Sequence, residues 1–306
     1  MGSYLLKRLA QVPVVLLVLI TTTFFMMRLA PGGPFAGDKK MDPVIQKKLE
    51  EKYGLDKPML VQFGKFLVGL PDLGPSFKNK TKTVNEILAE KFPTSAYLGF
   101  LATMFALALG LTAGIVAGVR QNSGFDYGSM AAAMLGLSLP VFVVGPVLAL
   151  IFGLYLKWLP SAGYDGWSDW KALILPTITL GLPFAARIAR LTRAGMLEVI
   201  NQDYIRTAWA KGLSEKVIVL RHALRGAMLP VVSFLGPGIA AMLTGSIVVE
   251  KVFAIPGLGM EFVESAFNRD YTLAMGTVIL YGVLLIFFNL VVDVLYGFLD
   301  PRIRYS

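Results

Sequence analysis

The sequence contains no cysteine and a single histidine, His222. Disulfides, thiol nucleophiles and thiolate metal sites are therefore excluded, and a His-dependent triad or metal cluster has too few members. Charge is also scarce: 16% of the 306 residues are Asp, Glu, Lys or Arg, where a soluble domain carries about a quarter. No G-x-x-x-x-G-K-[ST] run exists to cradle nucleotide phosphates, and no T-V-G-Y-G filter to pass potassium. Only one acid, Asp293, is set well inside an apolar block, so paired-aspartate chemistry within a membrane lacks its second carboxylate.

Apolar residues are in excess, at 55% of the chain with a mean hydropathy of +0.64. Six stretches are free of Lys, Arg, Asp and Glu: Leu9 to Met27, Thr94 to Val119, Tyr127 to Leu156, Ala172 to Ala186, Gly226 to Val249 and Tyr271 to Val292. Five of them meet or nearly meet the ~20 residues that cross a bilayer as helix. The fourth is short. Continuation through Arg187 and Arg190 at a membrane face completes it, the long basic side chains reaching out to the headgroups. These runs predict an all-α membrane protein with six transmembrane helices. The first run exceeds a signal-peptide core and no clean small-x-small cleavage site follows it, so it reads as a retained helix.

Lys7 and Arg8 precede the first run, which by the positive-inside rule puts the N-terminus, and after six crossings the C-terminus, in the cytoplasm. The cytoplasmic segments then hold 13 basic residues against five acidic ones, while the later outer loops 157–171 and 250–272 hold four against six. The net charge of +9 thus follows a lipid bilayer rather than a nucleic acid. The first outer loop is Lys-rich, but at roughly 60 residues it is long enough to escape the charge rule. The expected organisation is a helix in 1–30, an outer subdomain in 31–92, a five-helix core in 93–299 with a cytoplasmic loop at 198–229, and a tail at 300–306. Pro31, Gly32, Gly33 and Pro34 end the first helix, a short amphipathic helix covers Pro43 to Lys52, and Gly74-Pro75-Ser76 mark a turn.

Gly110, Gly114 and Gly118 form a doubled GxxxG that bares one face of the second helix for close packing within the bundle. Prolines 140, 146, 176, 183, 230 and 237 also interrupt apolar runs, which is tolerated where protein or water satisfies the freed backbone groups. Helix five is expected to bend at Gly236-Pro237-Gly238. Between helices four and five, Val199, Ile200, Tyr204, Ala208 and Trp209 recur at helical spacing, Gly212 breaks the pattern, and Val217, Leu220 and Leu224 resume it. Two short amphipathic helices meet at a glycine, and Arg206, Lys211, Lys216, Arg221 and Arg225 make one face basic. That face suits either anionic headgroups or a soluble partner. Asp293 lies about two turns before Asp300, near a membrane edge, as a bundle carboxylate or a pathway group.

The segment from Tyr204 resembles the coupling loop of type I ABC importer permeases, in which EAA is followed after three residues by Gly and later by hydrophobic-x-Leu-Pro. Arg206-Thr207-Ala208, Gly212 and Ala227-Met228-Leu229-Pro230 stand at those places, with Arg206 replacing the first acid and a longer gap before Leu-Pro. Both departures resemble the peptide branch, matched in order by Tyr204, Arg206, Thr207, Ala208, Ala210, Lys211, Gly212 and Leu213. Further matches are the run from Phe25 to Gly32, Gly74-Pro75-Ser76, Arg221-His222-Ala223-Leu224, Ile255-Pro256-Gly257-Leu258-Gly259, Asn268-Arg269-Asp270-Tyr271 and the ending from Asp300 to Tyr305. Over nearly its whole length the chain resembles the B-type membrane subunits of oligopeptide and dipeptide ABC importers, which are binding-protein-dependent transport systems.

That resemblance implies a complex in the inner membrane of a bacterium. The chain would pair with a homologous second permease subunit, two soluble ABC ATPase subunits holding ATP and Mg would dock below, and an external peptide-binding protein would deliver cargo. The chain itself would carry no catalytic residue, cofactor or metal. Tyr204, Arg206, Thr207, Ala208, Trp209, Lys211, Gly212 and Leu213 would couple it to an ATPase, with Tyr204, Ala208, Trp209 and Leu213 as apolar anchors. Pro256, Gly257, Gly259, Asn268, Arg269, Asp270 and Tyr271 would form an outer gate and binding-protein contact, and Gly236, Pro237, Gly238 and Asp293 would border the path. The cargo implied is oligopeptide, with dipeptides, glutathione or nickel chelates as alternatives on the same architecture. A proton-coupled secondary transporter using Asp293 is the rival that needs no ATPase.

Overall fold

In a computed structural model of the chain, residues 2–30, 33–34, 43–79, 81–166 and 169–299 are described. Pro31, Gly32, Lys39, Lys40, Lys80 and the tail from Asp300 fall outside them. The elements run α1 (Gly2–Leu29), α2 (Pro43–Tyr53), α3 (Met59–Val68), α4 (Val84–Val119), α5 (Gly124–Ser138) and α6 (Val141–Leu148). A π-helical turn (Ala149–Tyr155) and a 3₁₀ turn (Trp170–Leu173) lead to α7 (Ile174–Ile200). Then come α8 (Asp203–Ala210), α9 (Glu215–Val217), a π turn (Ile218–Ala223) and α10 (Leu224–Ala227). The last four helices are α11 (Leu229–Leu243), α12 (Ile247–Val252), α13 (Leu258–Phe267) and α14 (Tyr271–Leu299). The expected amphipathic helix after Pro43 is α2.

Five spans are long and apolar enough to cross a membrane: Leu6–Leu29, Val84–Val119, Trp170–Ile200, Leu229–Val252 and Tyr271–Gly297. The sixth expected helix, from Tyr127 to Leu156, is instead two segments meeting at 104°. Pro140 is the cause. It precedes α6 without an N–H of its own, and its ring holds Leu139 in extended backbone at φ −78°, ψ 123°. The expected bend at Gly236-Pro237-Gly238 does not interrupt α11, which is continuous there because neighbours clamp it: Gly236 lies against Asn289 and Val292 of α14, Gly238 against Phe184 of α7. The span breaks later, at Gly245, whose φ of +83° suits a residue without Cβ.

Helices α4 and α7 form the most extensive pairing in the bundle. A Cβ on Gly110 would fall 2.7 Å from the Ala185 carbonyl oxygen, one on Gly114 2.5 Å from that of Ala189, and one on Gly118 2.5 Å from Cβ of Met196. The contacts advance in the same sense along both helices, so the two run parallel. From the other side, Gly181 approaches the carbonyl of Ala102. The doubled GxxxG is thus an intramolecular seam, where backbones meet and dispersion replaces the hydrophobic drive that lipid does not supply. Next to α7, Gly195 abuts the Ala227 carbonyl of α10, which fixes the 203–227 segment beneath the seam. We call that the basic end.

Helix α1 stands at the periphery with 11% of its apolar window buried. Ile20 and Phe24 pack on Met275 of α14, and Phe63 and Phe66 of α3 close over Phe24. Arg28 lies 3.6 Å over the Phe24 ring and its Nε donates to Gln62 at 2.9 Å. At the end opposite the basic one, α4 begins with a capping box between Thr83 and Glu86.

The seam makes a direct prediction. Gly114→Leu overpacks a backbone contact and should cost about 1–3 kcal/mol or more, whereas Gly128→Ala, with nothing within 4 Å of the new methyl, should be silent. Thermal midpoints in detergent, followed by intrinsic fluorescence, compare the two; equal midpoints would remove the seam as the constraint on the bundle.

Candidate functional site

The basic end is built on a reversal at Gly212. Helix α8 ends there, Gly212 takes φ +71°, and its N–H donates to Trp209 O at 2.9 Å, the left-handed cap that glycine favours. Ile205 and Ala208 of α8 are buried against Met196 of α7 and Ile218, Ala223 and Ala227, with Leu213 half-buried beside them. Ala208 and Leu213, expected as outward anchors, therefore hold the segment to its own bundle. What faces outward is Tyr204, Arg206, Thr207, Trp209, Lys211 and Gly212. The ion pair of Arg206 with Asp203 spans 3.6 Å between two highly exposed side chains and contributes little to stability. The surface is thus cationic with two exposed aromatics, on an apolar base.

Above it, Asp126 in the first turn of α5 is 1% exposed and receives the Arg193 guanidinium of α7 as a fork, Nη2 at 2.7 Å from Oδ2 and Nε on Oδ1. The Asn122 N–H adds a third donor at 3.0 Å. This partly buried fork, with the carboxylate's lone pairs filled, ties α5 to α7. Asp293 is likewise engaged: Arg8 of α1 donates Nη2 to Oδ1 at 3.2 Å, and Nε lies 3.1 Å from Oδ2. Of the other expected pathway residues, Gly236 and Gly238 are buried and Pro237 is exposed.

The opposite end centres on a carboxylate that the sequence reading counted merely as a loop charge. Glu250 is fully buried; its Oε1 accepts from Ser95 Oγ of α4 at 2.7 Å and its Oε2 from Met260 N–H at 2.9 Å. Ser95 Oγ in turn accepts from Leu258 N–H at 2.7 Å. A Cβ on Gly257 would sit 2.4 Å from Glu250 Oε1, and one on Gly245 2.0 Å from it. The Pro256-Gly257-Leu258-Gly259 run is therefore shaped to close over this carboxylate. Glycines converging on one acid, at positions 245, 257 and 259 around 250, were the available signal.

Asp270 is a second buried hub. It accepts from Ser76 Oγ, from the N–H groups of Phe77 and Lys78 at 3.1 Å each, and from Leu273 N–H at 3.1 Å. It thereby ties the turn after Gly74 to the start of α14, and Tyr271 is buried beside it. Of the seven residues expected at this gate, Gly257, Gly259, Asp270 and Tyr271 act from inside, while Pro256 and Asn268 are exposed and Arg269 half-buried. Beside Asn268 and Asp270 opens a cavity of about 250 Å³, lined also by Ser76, Lys82, Glu90, Lys91 and Glu261. Its charges are mixed. The hydrogen bond to Glu90 raises Lys82 above the ordinary lysine range, and partial burial raises Glu261 above the ordinary carboxylate range.

The profile of binding-protein-dependent transport system inner membrane components matches residues 110–305, and the profile of their N-terminal region matches 1–99. The oligopeptide transport system permease protein OppB of Haemophilus influenzae is 47% identical, and that of Escherichia coli 46%, each covering 100% of both chains. The dipeptide transport system permease protein DppB of Bacillus subtilis is 44% identical over 99% of this chain and 98% of its own. Among solved structures, the inward-facing MetNI methionine ABC transporter superimposes with a TM-score of 0.57 at 18% identity, over 70% of this chain and 96% of that one. That likeness concerns the fold, which is the fold of an ABC-transporter permease. The chain belongs to the family of binding-protein-dependent transport system inner membrane components.

Proposed function

We propose that this chain is the B-type permease subunit of a bacterial ABC importer that carries peptides, chiefly oligopeptides, across the inner membrane. The observation that carries the reading is the outward-facing cationic segment hinged at Gly212, packed through Ala208 and Ala227 onto α7. Such an element transmits a push from a docked partner into the bundle as a rigid body. The partners are a homologous second permease, two ABC ATPases that hold ATP and Mg, and an external peptide-binding protein; no nucleic acid is involved. Tyr204 and Trp209 supply the apolar contacts and Arg206 and Lys211 set orientation. The chain itself hydrolyses nothing and holds no cofactor. Both termini and the basic end face the cytoplasm, and the Glu250 and Asp270 hubs form the outer gate. The five-helix core runs over 93–299 behind an outer subdomain at 31–92.

The 44% identity to a dipeptide permease favours dipeptides as the second reading of cargo. Purification from the native membrane in mild detergent, with mass spectrometry of the accompanying chains and ATPase assays with tripeptides and dipeptides, tests both. Recovery of a second permease, P-loop ATPases and a binding protein is expected, with greater stimulation by the longer peptides. Uptake by the chain alone, without ATP, would replace the reading with a secondary transporter.

At the hinge, a bulky residue is strained by φ alone, because no atom lies within 4 Å of a Cβ on Gly212. Gly212→Val should therefore leave the complex assembled, lower transport about tenfold or more and free ATP hydrolysis from cargo control. Gly212→Asn, which tolerates the left-handed region, should retain most activity. Normal transport by Gly212→Val would refute the coupling role.

At the gate, Glu250→Ala leaves the Ser95 hydroxyl and the Met260 N–H buried without an acceptor, a loss on the order of 3 kcal/mol. A lower melting point together with raised ATPase activity in the absence of binding protein is expected. Raised activity without destabilisation would assign Glu250 to signalling alone; neither change would dismiss the latch.

A further inference from the structure

Helix α7 carries exposed arginines well inside its length. Arg187 is the middle residue of its 27, about 20 Å from either end at ~1.5 Å per residue. In the parallel seam it is level with Gly110 of α4, which meets Ala185 and Ile188. Arg120, the cation that ends α4, lies about 15 Å further along. Arg187 is therefore well inside α7 and not at its end; Arg190 is one turn nearer the basic end.

Both arginines are exposed, although α7 belongs to the most buried of the five spans. Among the described residues neither has a carboxylate within ion-pair distance. The Arg187 guanidinium lies 5.3 Å over the Phe234 ring of α11. Beside it α11 exposes Pro230, Ser233 and Pro237 along one face, and the Ser233 hydroxyl is hydrogen-bonded to Tyr296 of α14. The middles of α1 and α14 look different: they expose Val14, Val18, Val283, Phe287 and Val291 among others. An exposed guanidinium halfway along a helix, with no acid among the described residues, belongs against water rather than acyl chains.

We propose that the Arg187–Arg190 face of α7 and the Ser233 face of α11 line an aqueous path, and that Arg187 receives the carboxylate of passing cargo, chiefly a peptide C-terminus. The aqueous strip stands on the structure alone, whereas the peptide carboxylate rests on the peptide-importer reading. A planar fork backed by an aromatic ring matches a carboxylate in two parallel hydrogen bonds. Because no resident acid occupies Arg187, an arriving carboxylate displaces water and not a salt bridge. Arg190, one turn on, offers the next cation, so a charged end is handed along and not trapped.

The lack of cysteine makes the test direct, since any thiol label on this chain reports an introduced site. In open membrane fragments containing the whole transporter, with ATP and trialanine, Ser233→Cys should react with impermeant thiol reagents and Phe287→Cys should not. Adding Arg187→Gln should slow an anionic reagent at Ser233→Cys about tenfold and leave a neutral reagent unchanged, and Arg187→Lys should restore the rate. An unreactive Ser233→Cys in an assembled complex would overturn the aqueous strip, and equal rates for both reagents with or without Arg187 would overturn its role. In uptake, Arg187→Gln should impair trialanine about tenfold more than its C-terminal amide. Equal impairment, with labelling as expected, overturns only the carboxylate assignment. Failure of the unsubstituted transporter to take up trialanine or its amide would instead count against the peptide reading, while labelling still decides the strip.

Discussion

The structure depends on one approach: α4 and α7 meet along glycines with no side chain between their backbones. In a bilayer every backbone group must be satisfied within its own helix, and helices gain nothing by leaving lipid for one another except tighter packing. The glycines at 110, 114 and 118 supply that packing and, because a Cβ at any of them would collide with α7, they also fix its height. Height is what matters for the rest. It sets Arg193 opposite Asp126, seats Ala227 under Gly195, and puts Arg187 level with Gly110.

The two ends are organised around the same device in opposite senses. At one, Glu250 and Asp270 are buried acceptors that gather loop N–H groups and hydroxyls, and glycine makes room for them. At the other, cations face outward and the buried surface is apolar, with glycine supplying a backbone reversal and no space. The first arrangement holds a loop over a carboxylate through polar contacts; the second leaves a charged surface facing outward from an apolar base. Between them, spans are interrupted at Pro140 and Gly245.

Much of this was legible in the residue order. Charge-free runs locate the spans because hydrocarbon tolerates little else, the period of Tyr204, Ala208 and Trp209 with the break at Gly212 locates the hinge, and the doubled GxxxG locates the seam. What escaped depends on neighbours far away in sequence. Tyr127 to Leu156 is as apolar as any straight span, and Pro140 bends it where Pro237 leaves α11 whole, because α7 and α14 clamp the latter. Glu250 looks like a loop acid until Ser95, 155 residues earlier, arrives beside it. Ala208 and Leu213 share the period of exposed neighbours, and only the docking of α8 against Met196 turns them inward.

Helix α1 raises a different issue, that of bilayer thickness. Its charge-free run, Leu9 to Met27, covers 19 residues, about 29 Å at ~1.5 Å per residue, close to a hydrocarbon core of about 30 Å. Held by little more than α14 and α3, it fits a bilayer of that thickness, and a thicker or thinner one would cost a modest amount for each ångström. Arg28 and Phe24 connect its far end to Gln62, Phe63 and Phe66. A membrane of another thickness would therefore act first on a helix that contributes little to the core yet holds the small subdomain by its far end.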